Sequence, residues 1–236
     1  MEFTYEAYAG LLRKLRKFGY EPIRFCDVSD AVRRPAIIRH DVDMDLQDAE
    51  KMAQLESEMN VKATYFVLLT SDYYNLFARD NMKSAKNILG LGHEIGLHFD
   101  ITAYDEMTWG KAVAKECLML GEFLDTRVKS ISWHIPKNDL IGVHLGFMDD
   151  FGLLNAYDPY FYHGYKYVSD SMMRWREPVG EYIEERKFEK LQILTHPVWY
   201  REQQDKTDIE ILALNKGKKD KELCKWLNKI KPGFSG

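Results

Sequence analysis

The spacing of hydrophobic positions changes along the chain, and each change marks an element. From Tyr5 to Phe18, Tyr8, Leu11, Leu12, Leu15 and Phe18 recur at helical intervals before Gly19. This predicts an amphipathic helix with Arg13, Lys14, Arg16 and Lys17 on its wet face. A continuous apolar run led by Pro35 and Ala36 then enters Ile37-Ile38-Arg39-His40-Asp41-Val42-Asp43, a strand ending in two acids. A helix follows over about Leu46–Met59, and the β-branched and aromatic run Val61–Leu69 has the length of a buried strand. Tyr73–Leu91 reads as largely helical, Gly92–Asp100 as a third strand, and Asp105–Leu124 as a helix turning Met107, Val113, Cys117, Leu118 and Leu120 inward. Val128–Ser132 is a strand leading into Trp133-His134-Ile135-Pro136. The stretch 137–176 is aromatic and irregular, with short strands near Leu153–Tyr157 and Tyr167–Ser169. Glu181–Glu189 is helical, Leu191–Thr195 is the last strand, and Asp208–Ile230 is a basic helix interrupted around Gly217.

Strands and helices therefore alternate from about residue 36 to 196, the pattern of a parallel sheet with crossover helices. An open sheet and a barrel fit that pattern equally. In both, active sites form at the C-terminal ends of the strands. That edge is where the polar residues fall: Asp41 and Asp43, His98 and Asp100, His134, Asp170 and His196.

Period two places Asp41 and Asp43 on one side of their strand, where two carboxylates repel unless a proton or a cation lies between them. The competing reading is helix capping, with Asp43 and Asp45 closing the N-terminus of the helix at Leu46. Carboxylates gathered with imidazoles suit a first-row divalent ion. One further acid and one further histidine would complete the parts for metal-assisted hydrolysis of an amide or ester.

Composition narrows the field. A chain of 236 residues, 45% hydrophobic and 30% charged, fits one globular domain. A net charge of −4 gives no footprint for nucleic acid. Cys26, Cys117 and Cys224 show neither disulfide nor zinc spacing, which fits a reducing compartment. The first residues lack the apolar core of a signal peptide, and no run approaches membrane-span length. The expected location is the cytoplasm.

The order of these motifs resembles the polysaccharide deacetylase superfamily, carbohydrate esterase family 4, over roughly residues 36–200. His40-Asp41-Val42-Asp43 resembles the first family motif in a divergent form, which implies Asp41 as general base and Asp43 as metal ligand. Gly92-His93-Glu94-Ile95-Gly96-Leu97-His98 is similar to the second, implying His98 as a ligand and His93 as structural. The family's further ligand histidine falls here at Thr102. Its Arg-x-Pro third motif is here His134-Ile135-Pro136. His134 is therefore expected to replace the missing ligand, with Asp100 and then His93 behind it, or else to orient Asp41 as the family arginine does. Asp170 to Trp175 looks like the fourth motif, and Leu191 to Pro197 like the fifth, implying His196 as general acid oriented by Asp170. Trp175, Asp100 and Pro136 would face the substrate.

The resemblance implies an irregular parallel (β/α) barrel, with residues 1–35 and 201–236 as flanking helical extensions. The aromatic insert Phe147–Tyr167 would either stack on sugar rings over the strand ends or close a loop-rich core. The implied activity is metal-dependent, with zinc as first choice, on an N-acetylated sugar in a cytoplasmic glycan precursor. The alternatives are hydrolysis of another non-peptide C–N bond, such as a cyclic amide or imide, and a catalytically inactive glycan-binding protein.

Overall fold

The apolar runs become one parallel sheet in a computed structural model that describes residues 1–231. The last five residues of the 201–236 extension lie outside that range. Helix α1 (Tyr5–Lys17) precedes a short strand β1 (Glu21–Ile23), which the sequence pattern does not predict. Then β2 (Pro35–Val42), α2 (Leu46–Glu58), β3 (Thr64–Val67), α3 (Arg79–Gly90), β4 (Glu94–Asp100), α4 (Trp109–Leu124) and β5 (Ser130–His134) alternate. Short elements follow: α5 (Phe147–Phe151), β6 (Leu154–Asn155), α6 (Pro159–Tyr162), β7 (Lys166–Ser169) and α7 (Val179–Glu184). Strand β8 (Leu191–Thr195) returns beside β2, and α8 (Asp208–Ile230) ends the described chain.

The strand order is β6-β5-β4-β3-β2-β8-β7, with β1 pairing the first half of β2. The two ends of this path, β6 and β7, do not pair, so the curved sheet is an incomplete (β/α) barrel. All eight residues of β2 are buried, as expected for a parallel strand covered on both faces. Its alternate residues divide cleanly. His40 faces outward, where its ring stacks on Tyr65 at 4.3 Å, while Arg39 and Asp41 face the interior. The interior floor is polar: Thr64 Oγ1 and Ser130 Oγ both donate to Glu94, each at 2.8 Å. Gly96 sits directly above it, because a Cβ there would lie 2.5 Å from the Phe66 ring and 2.8 Å from the Ser130 carbonyl.

Several local expectations change. Helix α3 begins only at Arg79, because Tyr74 is spent on a buried turn: its hydroxyl donates to the Val42 carbonyl and accepts from the Leu68 amide, both at 2.8 Å. Val113 and Leu120 point inward from α4, but Met107 is 99% and Leu118 64% exposed. Helix α8 runs unbroken through Gly217. The aromatic insert packs low in the barrel. Phe161 meets Phe25 at 5.0 Å, and the Gln192 side chain donates to the carbonyls of Ala156 and Phe161 across the β6–β7 gap. These rings fill the space that a missing strand pair leaves.

Candidate metal and hydrolytic site

Asp43 follows the last residue of β2, His98 lies on β4, and His134 ends β5. Parallel strands in register bring these three ends together. His98 Nε2 is 3.3 Å and His134 Nδ1 3.6 Å from Asp43 Oδ1, and the two ring nitrogens are 3.2 Å apart. Nδ1–H of His98 donates to the Ser132 carbonyl at 3.2 Å, which leaves the Nε2 lone pair facing the other two atoms. Asp43 Oδ1 is buried without a hydrogen-bond partner. An orphaned carboxylate oxygen beside two imidazole nitrogens is the donor set a divalent cation satisfies. These spacings are close enough for one small divalent ion to be held by all three atoms.

The surrounding charge favours a cation too. Burial would push the Asp43 carboxyl up, but the adjacent imidazoles of His134 and His98 and the charge of His196 hold it well below the ordinary carboxylate range. Burial would likewise depress His134, yet Asp43, Asp100 and Asp41 outweigh it and raise the imidazole.

Asp41 lies below this cluster. Arg39, fully buried on the same strand face, donates Nε–H to Asp41 Oδ1 at 2.9 Å and Nη2–H to Oδ2 at 2.8 Å. The guanidinium also donates to Gln192 Oε1 and to the hydroxyls of Tyr157 and Ser132. Burial raises the Asp41 pKa, but Arg39 and then His98 overcompensate, and the carboxylate stays ionised below its usual value. The repulsion expected between Asp41 and Asp43 is thus relieved separately: Arg39 neutralises one, and the histidines face the other. Sequence reading passed over Arg39. Its signal was an arginine inside an apolar strand, two residues from an acid.

On the far wall, His196 Nδ1–H donates to Asp170 Oδ1 at 2.6 Å, and its Nε2 lies 3.9 Å from Asp43 Oδ2. Asp170 is wholly buried and also accepts from the His196 amide and the Tyr200 hydroxyl, at 3.1 Å each. Burial depresses His196, but the Asp170 charge and hydrogen bond prevail and lift its pKa to about 9.

The remaining candidates separate. Asp100 and Pro136 line the pocket. Asp100 Oδ1, however, is occupied by the Thr102 amide at 2.8 Å and hydroxyl at 2.7 Å, so it is not among the converging donors. His93 donates Nε2–H to the Ala53 carbonyl at 3.0 Å and accepts from the Ala63 amide at 3.1 Å, a structural role. Trp175 does not line the pocket; it faces a separate cleft beside Lys14 and Gly180, because the chain beyond Met172 turns away from the mouth. The capping reading belongs to Asp45, which accepts from the amides of Gln47 and Asp48 and leaves Asp43 free. The pocket encloses about 440 Å3 above these groups, with walls from Leu68, Trp133, Met172, Trp199 and Leu212.

No family model matches the chain, and no curated protein is similar to it in sequence. Solved structures are similar in fold. The peptidoglycan deacetylase PdaC from Bacillus subtilis is 14% identical, the match covering 86% of this chain and 100% of that one at a TM-score of 0.50. The polysaccharide deacetylase Bc1974 from Bacillus cereus is 16% identical over 80% and 89%, at 0.48. A carbohydrate esterase family 4 pseudoenzyme from Bacillus anthracis is 15% identical over 90% and 76%, also at 0.48. The likeness to PdaC shows that this chain has the fold of the polysaccharide deacetylases.

Proposed function

We propose that the protein is a metal-dependent hydrolase that removes the acetyl group from an N-acetylated sugar, with a cytoplasmic glycan precursor as the substrate class. The observation that carries this reading is the convergence of Asp43 Oδ1, His98 Nε2 and His134 Nδ1 beside an ionised Asp41 and a protonated His196. Binding alone has no use for the last two.

Asp43, His98 and His134 would hold the ion, His134 standing in for the histidine absent at Thr102. A divalent cation, zinc first among them, supplies Lewis-acid polarisation of the acyl carbonyl and acidifies water. Asp41 has lone pairs left beyond its two bonds to Arg39, and its Oδ2 lies 3.7 Å from His98 Nε2, on the side where water would attack. It takes the proton of that water as the new C–O bond forms. His196, fixed by Asp170 with Nε2–H toward the cluster, gives its proton to the nitrogen as the C–N bond breaks. Acetate and the free amine leave. The pocket's apolar walls would exclude water around the reacting groups.

The same apolar enclosure favours a second reading, hydrolysis of a compact cyclic amide or imide, which would release no acetate. Metal content by plasma mass spectrometry, joined to an acetate-release screen, tests both. We expect about one divalent ion per chain, lost in Asp43→Ala, His98→Ala and His134→Ala and kept in Asp100→Asn. Metal retained in His134→Ala would remove that ligand assignment. A wild type that takes up no zinc, cobalt or nickel would overturn the hydrolase and leave a glycan-binding protein.

A further inference from the structure

Helix α8 packs against the body at its start and is tied down as far as its middle, where Lys218 pairs with Asp45 and the Lys219 ammonium donates to the Asp72 carbonyl. Ile211 and Asn215 are its buried residues, and Leu212 reaches the wall of the catalytic pocket. Its next turns pass the mouth: Lys218, Lys219, Lys221 and Lys225 line a cleft that shares Met44 and Tyr73 with the pocket. Beyond that, the stripe on which Leu212 packs continues as Leu223, Trp226 and Ile230, which are 55%, 56% and 63% exposed. Lys221, Lys225 and Lys229 form a second row at four-residue spacing, without ion-pair partners among the described residues. Residues 216–231 hold seven lysines against two acids, a local charge of +5 in a chain whose net charge is −4.

The mouth has apolar residues of its own. Ile135 and Met172 line it while 73% and 63% exposed, and both have left-handed backbone, φ +47° and +58°. For a β-branched residue such a φ is costly, so the fold holds an isoleucine outward against its conformational preference.

We infer that this face seats the protein on an anionic lipid bilayer, with α8 lying in the headgroup plane and the mouth turned toward the lipid. A basic row beside a row containing Trp, Leu and Ile is the make-up of an interfacial helix. Charge complementarity selects the anionic surface, since each lysine near it adds attraction. No helix among the described residues is long and apolar enough to cross a membrane, and the contact inferred is that of a helix lying on the surface. One consequence rests on the hydrolase reading: the substrate would be a glycan carried on a lipid anchor.

The test is co-sedimentation of the full chain with vesicles of phosphatidylcholine alone or mixed equally with phosphatidylglycerol. We expect binding to the mixed vesicles that weakens as salt rises. Lys221→Glu with Lys225→Glu should weaken it by at least about tenfold. Trp226→Ser with Leu223→Ser should also release the protein, while circular dichroism shows both variants folded. Equal binding to neutral vesicles, or variants that bind like wild type, would overturn the proposal. So would light scattering that shows a dimer which the Trp226 and Leu223 changes dissolve, or retention on nucleic acid in place of lipid. Turnover is not read, so failure here leaves the hydrolase standing; the metal-ligand variant Asp43→Ala should still bind vesicles.

Discussion

Arg39 and Asp41, two positions apart on one strand, are joined by parallel hydrogen bonds of 2.9 and 2.8 Å inside the barrel. The pair is nearly inaccessible to water, and the guanidinium also lies 4.7 Å from the Tyr157 ring centre. Neither charge could be buried alone. Period two forces them onto one face, so the arginine holds the Asp41 carboxylate ionised and fixes its orientation.

Arg39→Met should therefore cost about 3–5 kcal/mol of stability, because Asp41 remains buried without its counter-ion. Adding Asp41→Asn should recover much of that loss without restoring activity. Urea unfolding of the two single variants and the double variant measures the coupling; additive losses would mean that the pair does not act as a unit.

Asp170→Asn leaves the shape of the His196 contact but removes the charge that raises the imidazole to about 9. A general acid works while protonated, so activity falls as pH rises through its pKa. The alkaline limb of kcat should move to lower pH, and the rate should drop by about 10²–10⁴. A pH–rate profile on the two enzymes checks this. An unmoved limb would assign the limb to another group.

His93 gives a stability signature away from the site. Burial lowers its pKa, and both its nitrogens are bonded to backbone in the neutral form. The unfolded chain thus binds a proton more readily, so this contribution is complete above about pH 6.5 and is lost as pH falls toward the lower folded value. Glu56, lowered in the fold by His40 and His93 against the cost of burial, adds a loss of the same sign at more acid pH. Thermal melting across pH 4.5–7.5 should show the decline, and His93→Gln should flatten its upper part.

Gly96→Ala should destabilise by about 1–3 kcal/mol, since the added methyl meets the Phe66 ring and the Ser130 carbonyl. Thermal unfolding reads the loss. A Tm equal to wild type would mean that β4 can shift away from its neighbours.

The order of elements and the strand ends bearing chemistry were legible in the sequence, because both follow from local periodicity. The runs around Ile37, Tyr65, Leu97 and Leu194 are too apolar and too short to be anything but buried strands, and their polar ends share one edge in any parallel arrangement. Local pattern could not show where the sheet stays open, since β6 is two residues long and the rings of the segment between it and β7 pack on Phe25, which is distant along the chain. Nor could it separate the two aspartates by partner. That depended on Arg39 below Asp41 and on His98 and His134 arriving beside Asp43 from strands 55 and 91 residues further on. Asp100 and Trp175 left the set for the same kind of reason: the turn after β4 commits Asp100 to Thr102, and the chain beyond Met172 leads Trp175 to another cleft. Sequence determined which residues reach the strand ends, because periodicity is a property of neighbours. Tertiary structure decided which of them meet, because a ligand set is made of side chains distant along the chain.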